Sequence, residues 1–241
     1  MTEALLVIVV FCASFVQTLS GFGFALMVMP LVTLALGLRT AAPLVALAGL
    51  TLYAINLLRH RAAFNLKEVL PIGIAAALGV PVGVWVLANA DENIVRRLLG
   101  LILVAYAGYA LVRPQAPPLR SRGWAYPAGF AAGCLGGAYN TPGPPAIVYG
   151  SLRRWPKDEF RAAMQALFLL TGLLVVASHV VARHVTADVL HLYLYAAPAL
   201  GLGVLAGSRA DRWVDGNRFR TLVNGMVLVL GVALVAGLGR G

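Results

Sequence analysis

Ser20-Gly21-Phe22-Gly23 and Asn140-Thr141-Pro142-Gly143-Pro144-Pro145 are the two stretches on which the fold turns. The first interrupts residues 4–36 and the second residues 124–152, and neither run contains a charged side chain. Gly21 and Gly143 stand 122 residues apart. A backbone N–H or C=O without a partner costs several kcal/mol in lipid. Irregular backbone at that depth therefore survives only inside protein or beside a cavity. Two broken helices at corresponding places in two halves point to a binding site of the kind that transporters build.

The rest of the chain reads as membrane protein. Of 241 residues, 60% are hydrophobic and 12% charged, where a soluble domain has about 25% charged. The mean hydropathy is +0.84. Apolar runs of about 18 residues or more recur, each long enough to cross a hydrocarbon core about 30 Å thick. The first begins at Ala4 without a basic n-region and leads directly into the first break, so it reads as a span and not a cleaved signal. No polar stretch is long enough for a soluble domain, and residues 1–241 are expected to form a single transmembrane domain. The net charge of +10 fits basic cytoplasmic loops. No nucleic-acid motif accompanies it, and no nucleic acid is expected as a partner. Cys12 and Cys134 lack the spacing of a metal or redox pair. Small residues at a helix–helix contact are the simpler reading.

The expected fold is an all-α polytopic membrane protein of two repeats. A broken helical pair at 4–36 precedes spans near 40–58, 68–88 and 95–112. A polar, Pro-rich linker at 113–123 follows. The pattern then returns, with a broken pair at 124–152 and spans near 160–182, 188–208 and 218–238. The repeats are thus 4–112 and 124–238. At an offset of 122, Cys12 aligns with Cys134, Gly21 with Gly143, Arg39 with Arg161 and Arg61 with Arg183. At an offset of 124, Gly79, Val80, Gly83, Asp91, Asn93, Arg96 and Leu98 align with Gly203, Val204, Gly207, Asp215, Asn217, Arg220 and Leu222. The Gly-x-x-x-Gly pairs in this set are expected to serve close helix packing.

Charge decides the orientation. If each broken segment returns to the side it entered, loops 59–67, 113–122, 153–161 and 209–220 share one face and hold 14 of the 19 Lys and Arg. If each crosses once, the faces divide 8 to 11. The positive-inside rule prefers the first arrangement. Each repeat is then a broken hairpin plus three transmembrane helices, and the two repeats have inverted topology. Hairpin arms of about 15 residues reach about 22 Å, short of a full crossing.

The spans carry no Asp, Glu, Lys or Arg away from their ends. A cation site built on intramembrane carboxylates is therefore disfavoured. An anion needs no buried cation where helix starts supply the field, since their free N–H groups lie at the positive end of the helix dipole. Gly21 and Gly23 allow close approach of backbone to a ligand. Pro142, Pro144 and Pro145 suit a helix start. The expected substrate-binding residues are Gln17, Ser20, Gly21, Phe22 and Gly23 at the first break, Asn140, Thr141 and Gly143 at the second, and Gln165 on the following span. Gln165 and Asn140 are costly to bury unpaired, which favours a role at the site. Thr18, Thr171 and Ser178 read better as structural, and His179 as an interfacial histidine. No His/Cys/Asp spacing fits a metal, and no nucleophile–base arrangement is present. Neither a cofactor nor a catalytic residue is expected.

Ser20-Gly-Phe-Gly-Phe-Ala-Leu with Pro30, Gly79-Val-Pro-Val-Gly83, Gly143-Pro-Pro-Ala-Ile-Val-Tyr149 and Phe160-Arg-Ala resemble, in order and spacing, the sulfite exporter TauE/SafE family. The resemblance covers nearly the whole chain. It implies a multi-pass permease of the cell inner membrane, handling sulfite, organosulfonates or related small sulfur oxyanions and coupled to a proton or sodium gradient. A homodimer is left open. The competing readings are an anion channel, a membrane-embedded enzyme and a scaffold. The spans offer an enzyme only scattered hydroxyls, amides and interfacial histidines, and a scaffold needs no paired breaks.

Overall fold

The computed structural model of the chain describes residues 3–112, 118–211 and 216–237. Linker residues 113–117, loop positions 212–215 (Asp215 among them) and Arg240 lie outside the described residues. The first half comprises α1 (Glu3–Ser20), α2 (Phe24–Leu36), α3 (Leu38–His60), α4 (Leu66–Asn89) and α5 (Glu92–Val112). The second comprises α6 (Ala125–Tyr139), α7 (Gly143–Leu152), α8 (Lys157–Val181), α9 (Ala187–Ala210) and α10 (Gly216–Val235). There is no strand among the described residues.

Five segments are long and apolar enough to cross a membrane: α1, α3 with the turn to Ala63, α4, α8 and α9. Their outward faces are apolar as lipid requires. On α4, Leu70, Ile74, Leu78 and Trp85 are exposed, while Ile72, Ala76, Gly79 and Gly83 face inward. The broken segments are shorter and unequal, with 18 and 13 residues in α1 and α2 against 15 and 10 in α6 and α7. At 1.5 Å per residue α1 is about 27 Å long, longer than the arm the sequence suggested. Its apolar run continues to the glycines without an earlier breaker.

The packing exchanges elements between halves. α1 lies on α9 and α4 on α6, while α3 packs on α8 and α5 on α10. Exchanging the two halves interchanges the first two of these contacts and carries each of the last two onto itself. Glycine makes the two crossings possible. A Cβ on Gly83 would run into the Cys134 carbonyl, and one on Gly79 into the Phe130 carbonyl. The aligned Gly207 and Gly203 also lie against α1, where a Cβ would come within 2.9 Å of the Phe15 carbonyl and 2.6 Å of the Phe11 carbonyl. Contacts this short hold backbone against backbone, where dispersion is the main attraction between helices in lipid. Cys134 is at such a contact, but Cys12 is exposed on α1, and both thiols are free.

The described parts of the four basic loops meet at one end of the molecule. Asn65 donates to Glu159 at 2.8 Å. Arg153 and Arg122 both pair with Glu68, and Trp155 Nε1–H donates to the same carboxylate at 3.1 Å. Arg153 also donates to the Leu119 and Arg120 carbonyls. Lys157 and Arg161 pair with Asp211. Glu68 is buried, so these arginines satisfy a carboxylate that would otherwise be costly there.

Candidate functional site

The first break is a compact polar knot. Gly21 and Gly23 have φ of 86° and 115°, a region in which a side chain is strained. Ser20 closes the turn on itself, accepting from Phe22 N–H at 3.2 Å, with the Val16 and Phe22 carbonyls both in reach of its single O–H. Gln17 reaches across the gap. Its Oε1 accepts from Phe24 N–H at 3.0 Å, and its Nε2 donates to Gly21 O and to Gln165 Oε1, both at 3.2 Å. Gln165 Nε2 donates to Gly21 O at 2.8 Å. Both glutamines are 1% exposed. Thus Gln17, Ser20, Gly21, Phe22, Gly23 and Gln165 do assemble in one place. The Phe24 N–H, which the sequence left free for a ligand, is capped by Gln17.

The second break is built differently. Asn140 ends α6 at φ 55°, and its Nδ2 donates to Ala42 O on α3 at 2.8 Å. Thr141 is buried and its hydroxyl has no partner. Gly143 begins α7 outside the positive-φ region, with Ile147 and Phe168 beside it. Of residues 142–145 only Gly143 carries an N–H, because the other three are prolines. This helix start is therefore poor in donors. A cavity of about 10 Å³ separates Asn140 and Pro142 from Tyr53, Phe168 and Thr171. That is room for roughly one water.

A single stripe of α8 runs past both breaks. Arg161, Gln165, Phe168 and Gly172 recur at helical spacing and so share a face. Arg161 and Gln165 meet the first break, Phe168 lies next to Gly143, and Gly172 lines the cavity. From Gln165 to Phe168 the rise is only about 4.5 Å.

Arg161 is the residue that sequence reasoning missed. It is 2% exposed, donates to the Leu19 carbonyl at the end of α1, and pairs with both oxygens of Asp211 at 2.7 and 2.8 Å. Its Nε is buried without a partner. The Arg161 hydrogen bonds hold the Asp211 carboxyl down at about 2, with the Lys157 charge assisting. A charge five residues into a helix reads as an end residue in sequence. The repeat match with Arg39 was the available signal. The two arginines stand in contrast. Arg161 is packed into the basic end, whereas Arg39 is exposed on a cavity of about 410 Å³ at the opposite end, walled also by Val84, Leu87, Ser178, His179 and His184.

Residues 6–234 match the sulfite exporter TauE/SafE family. The chain belongs to this family. It is 26% identical over 231 residues to a probable sulfite/organosulfonate exporter TauE of Cupriavidus necator, covering 92% of this chain and 89% of that one. It is 25% identical over 167 residues to a probable inner membrane transporter protein TsaS of Comamonas testosteroni, covering 68% and 70%. No solved structure matches it. Membership of the TauE/SafE family together with the apolar helices makes this a multi-pass membrane protein of transporter type.

Proposed function

We propose that the protein is a secondary transporter that exports small sulfur-containing anions, such as sulfite or organosulfonates, across the bacterial inner membrane. The observation that carries the site is the α8 stripe, along which Arg161, Gln165 and both helix breaks come together. The anion binds between the breaks. At the first, the Ala25 and Leu26 N–H groups of the opening turn of α2 have no intrahelical acceptor. Gln17 and Gln165 add carboxamide donors, and the Arg161 guanidinium adds a buried positive charge. At the second, Gly143 offers its N–H and Thr141 its hydroxyl. The Gln17 cap on Phe24 is exchangeable, since an anion that replaces its Oε1 keeps the N–H satisfied.

The two halves act as inverted repeats. Arg161 and its pairing with Asp211 close the basic end, which we assign to the cytoplasm by its charge. The Arg39 cavity opens the other side. Exchange of these two environments between the repeats is alternating access, driven by a proton or sodium gradient. Uptake of labelled sulfite and methanesulfonate into proteoliposomes under imposed gradients tests the reading. Saturable, gradient-dependent flux is expected. Conductance that does not saturate would mean a channel, and transport of cations alone would overturn the anion site.

A further inference from the structure

The cavity beside Arg39 holds an arrangement that the central site does not use. His179, in the last turn of α8, and His184, just beyond it, face each other with their Nδ1 atoms 3.2 Å apart. The loop is held by the His184 N–H, which donates to the His179 carbonyl at 2.9 Å, and by Arg183 at φ 58°. His179 is 4% exposed, and its Nε2 is buried with no partner. Both rings and Arg39 are on the cavity wall.

From this geometry we infer that the cavity is a second oxyanion site, in which the His179–His184 pair takes up a proton as a sulfonate- or sulfite-like anion settles beside Arg39. The inference rests on the anion-transporter reading above. Its chemistry follows from the pair. A hydrogen bond between two Nδ1 atoms needs one ring to hold the proton and the other to offer a lone pair. In the neutral pair the donating ring has a bare Nε2. A proton entering from the cavity adds there, and that ring becomes an imidazolium with an N–H pointing away from its partner. With His179 as the donating ring, that N–H is its buried, unpartnered Nε2, which then needs an acceptor that an anion oxygen supplies.

Arg39 forms no ion pair among the described residues, so its charge is available. The end of α8 favours a cation in its last turn. Among the described residues, no carboxylate lies on the wall. α4 contributes only Val84, Leu87 and Ala88, with Ala90 following it, while Asp91 and Asp188 are exposed and off the wall. Arg183 is exposed in the loop. Anion and proton thus bind with reciprocal linkage, each tightening the other. Ala42 lies on the wall and its carbonyl accepts from Asn140, so the cavity abuts the second break.

The test uses the full chain in nanodiscs with methanesulfonate, which stays a monoanion throughout. Calorimetry at about pH 5.5 and about pH 8 brackets the usual range of histidine. We expect binding about tenfold tighter at the lower pH, the scale of one hydrogen bond to a charged group. Gln165→Ala, which weakens the central site, should keep this pH dependence. His179→Gln and His184→Gln should each flatten it, and Arg39→Gln should weaken binding at both values. In histidine-labelled protein the His179 and His184 ring signals should shift on adding methanesulfonate at low pH. Affinity independent of pH in the unmodified protein, or pH dependence that survives in a folded His184→Gln variant, would overturn the proposal. Absent transport in proteoliposomes with the pH-dependent binding intact would strike the transport function and leave this site standing.

Discussion

Gly21 and Gly143 stand 122 positions apart, each at a break between two helices, yet alanine should affect them very differently. At Gly21 the backbone lies at φ 86°, and an added Cβ would come within 3.0 Å of Arg161 Cγ. The left-handed conformation costs a side-chain-bearing residue about 1–2 kcal/mol. If Arg161 is pushed from the Leu19 carbonyl, a hydrogen bond from a charged donor worth about 1.5–3 kcal/mol goes with it. At Gly143 the backbone is not left-handed, and the new Cβ meets the flexible end of Ile147 at 3.2 Å and Phe168 at 3.7 Å. Alanine there also favours the helix by up to about 1 kcal/mol relative to glycine. Gly21→Ala is therefore expected to lower thermal stability and abolish sulfite uptake, while Gly143→Ala keeps its stability and most of its flux. Gly143→Val, larger and beside Phe168, should reduce flux with less loss of stability than Gly21→Val. The measurements are thermal unfolding in detergent and proteoliposome uptake normalised to folded protein. Equal stability of the two alanine variants would refute the claim that φ and the Arg161 contact set the difference.

Gln165→Ala removes two hydrogen bonds at Gly21 and Gln17, and a tenfold or larger rise in the apparent Km for sulfite is expected, about 1.5–3 kcal/mol; an unchanged Km would remove Gln165 from the site. Asp211→Asn leaves Arg161 buried without its counter-charge and should destabilise the closed basic end, by about 3 kcal/mol for a buried pair. A smaller part of that, about 1 kcal/mol once screening at the 34% exposed Asp211 side chain is allowed for, depends on pH. Because the folded carboxyl sits at about 2, below its usual 3.8, this part is complete above about pH 4 and fades as pH falls through 2. The gap between the thermal melts of the two proteins should narrow, without closing, at the acid end, and a constant gap would contradict the assignment. Gly83→Ala should lose stability in proportion to its flux, since a Cβ there strikes the Cys134 carbonyl; full stability would mean that α4 and α6 are not held at that contact. A cysteine at Pro118 should resist an impermeant thiol reagent added outside intact cells in a Cys-free background, and labelling there would reverse the topology.

Membrane character, the ten helical segments and the two breaks were legible in the sequence because they depend on local properties. Hydropathy over some twenty residues fixes where a span can be, and Gly and Pro mark where a helix must stop. The repeat alignment anticipated that Gly79 and Gly83 would serve packing as Gly203 and Gly207 do, since only glycine permits such backbone approach. What tertiary structure alone decided is who partners whom across long separations. Gln17 and Gln165 are 148 positions apart, and their shared grip on Gly21 requires α8 to lie against the first break. The same placement takes up the Phe24 N–H that the sequence left free. Arg161 read as an end-of-helix charge, and its burial against Leu19 and Asp211 follows from the packing of α8 and α1 with the end of α9. Nor could sequence distinguish Arg161 from Arg39. They align at a sequence offset of 122, but one is enclosed in protein and the other faces an open cavity. Sequence specifies the chemistry that each half can offer, whereas the enclosing contacts of the folded chain decide which of two equivalent charges is shielded from water.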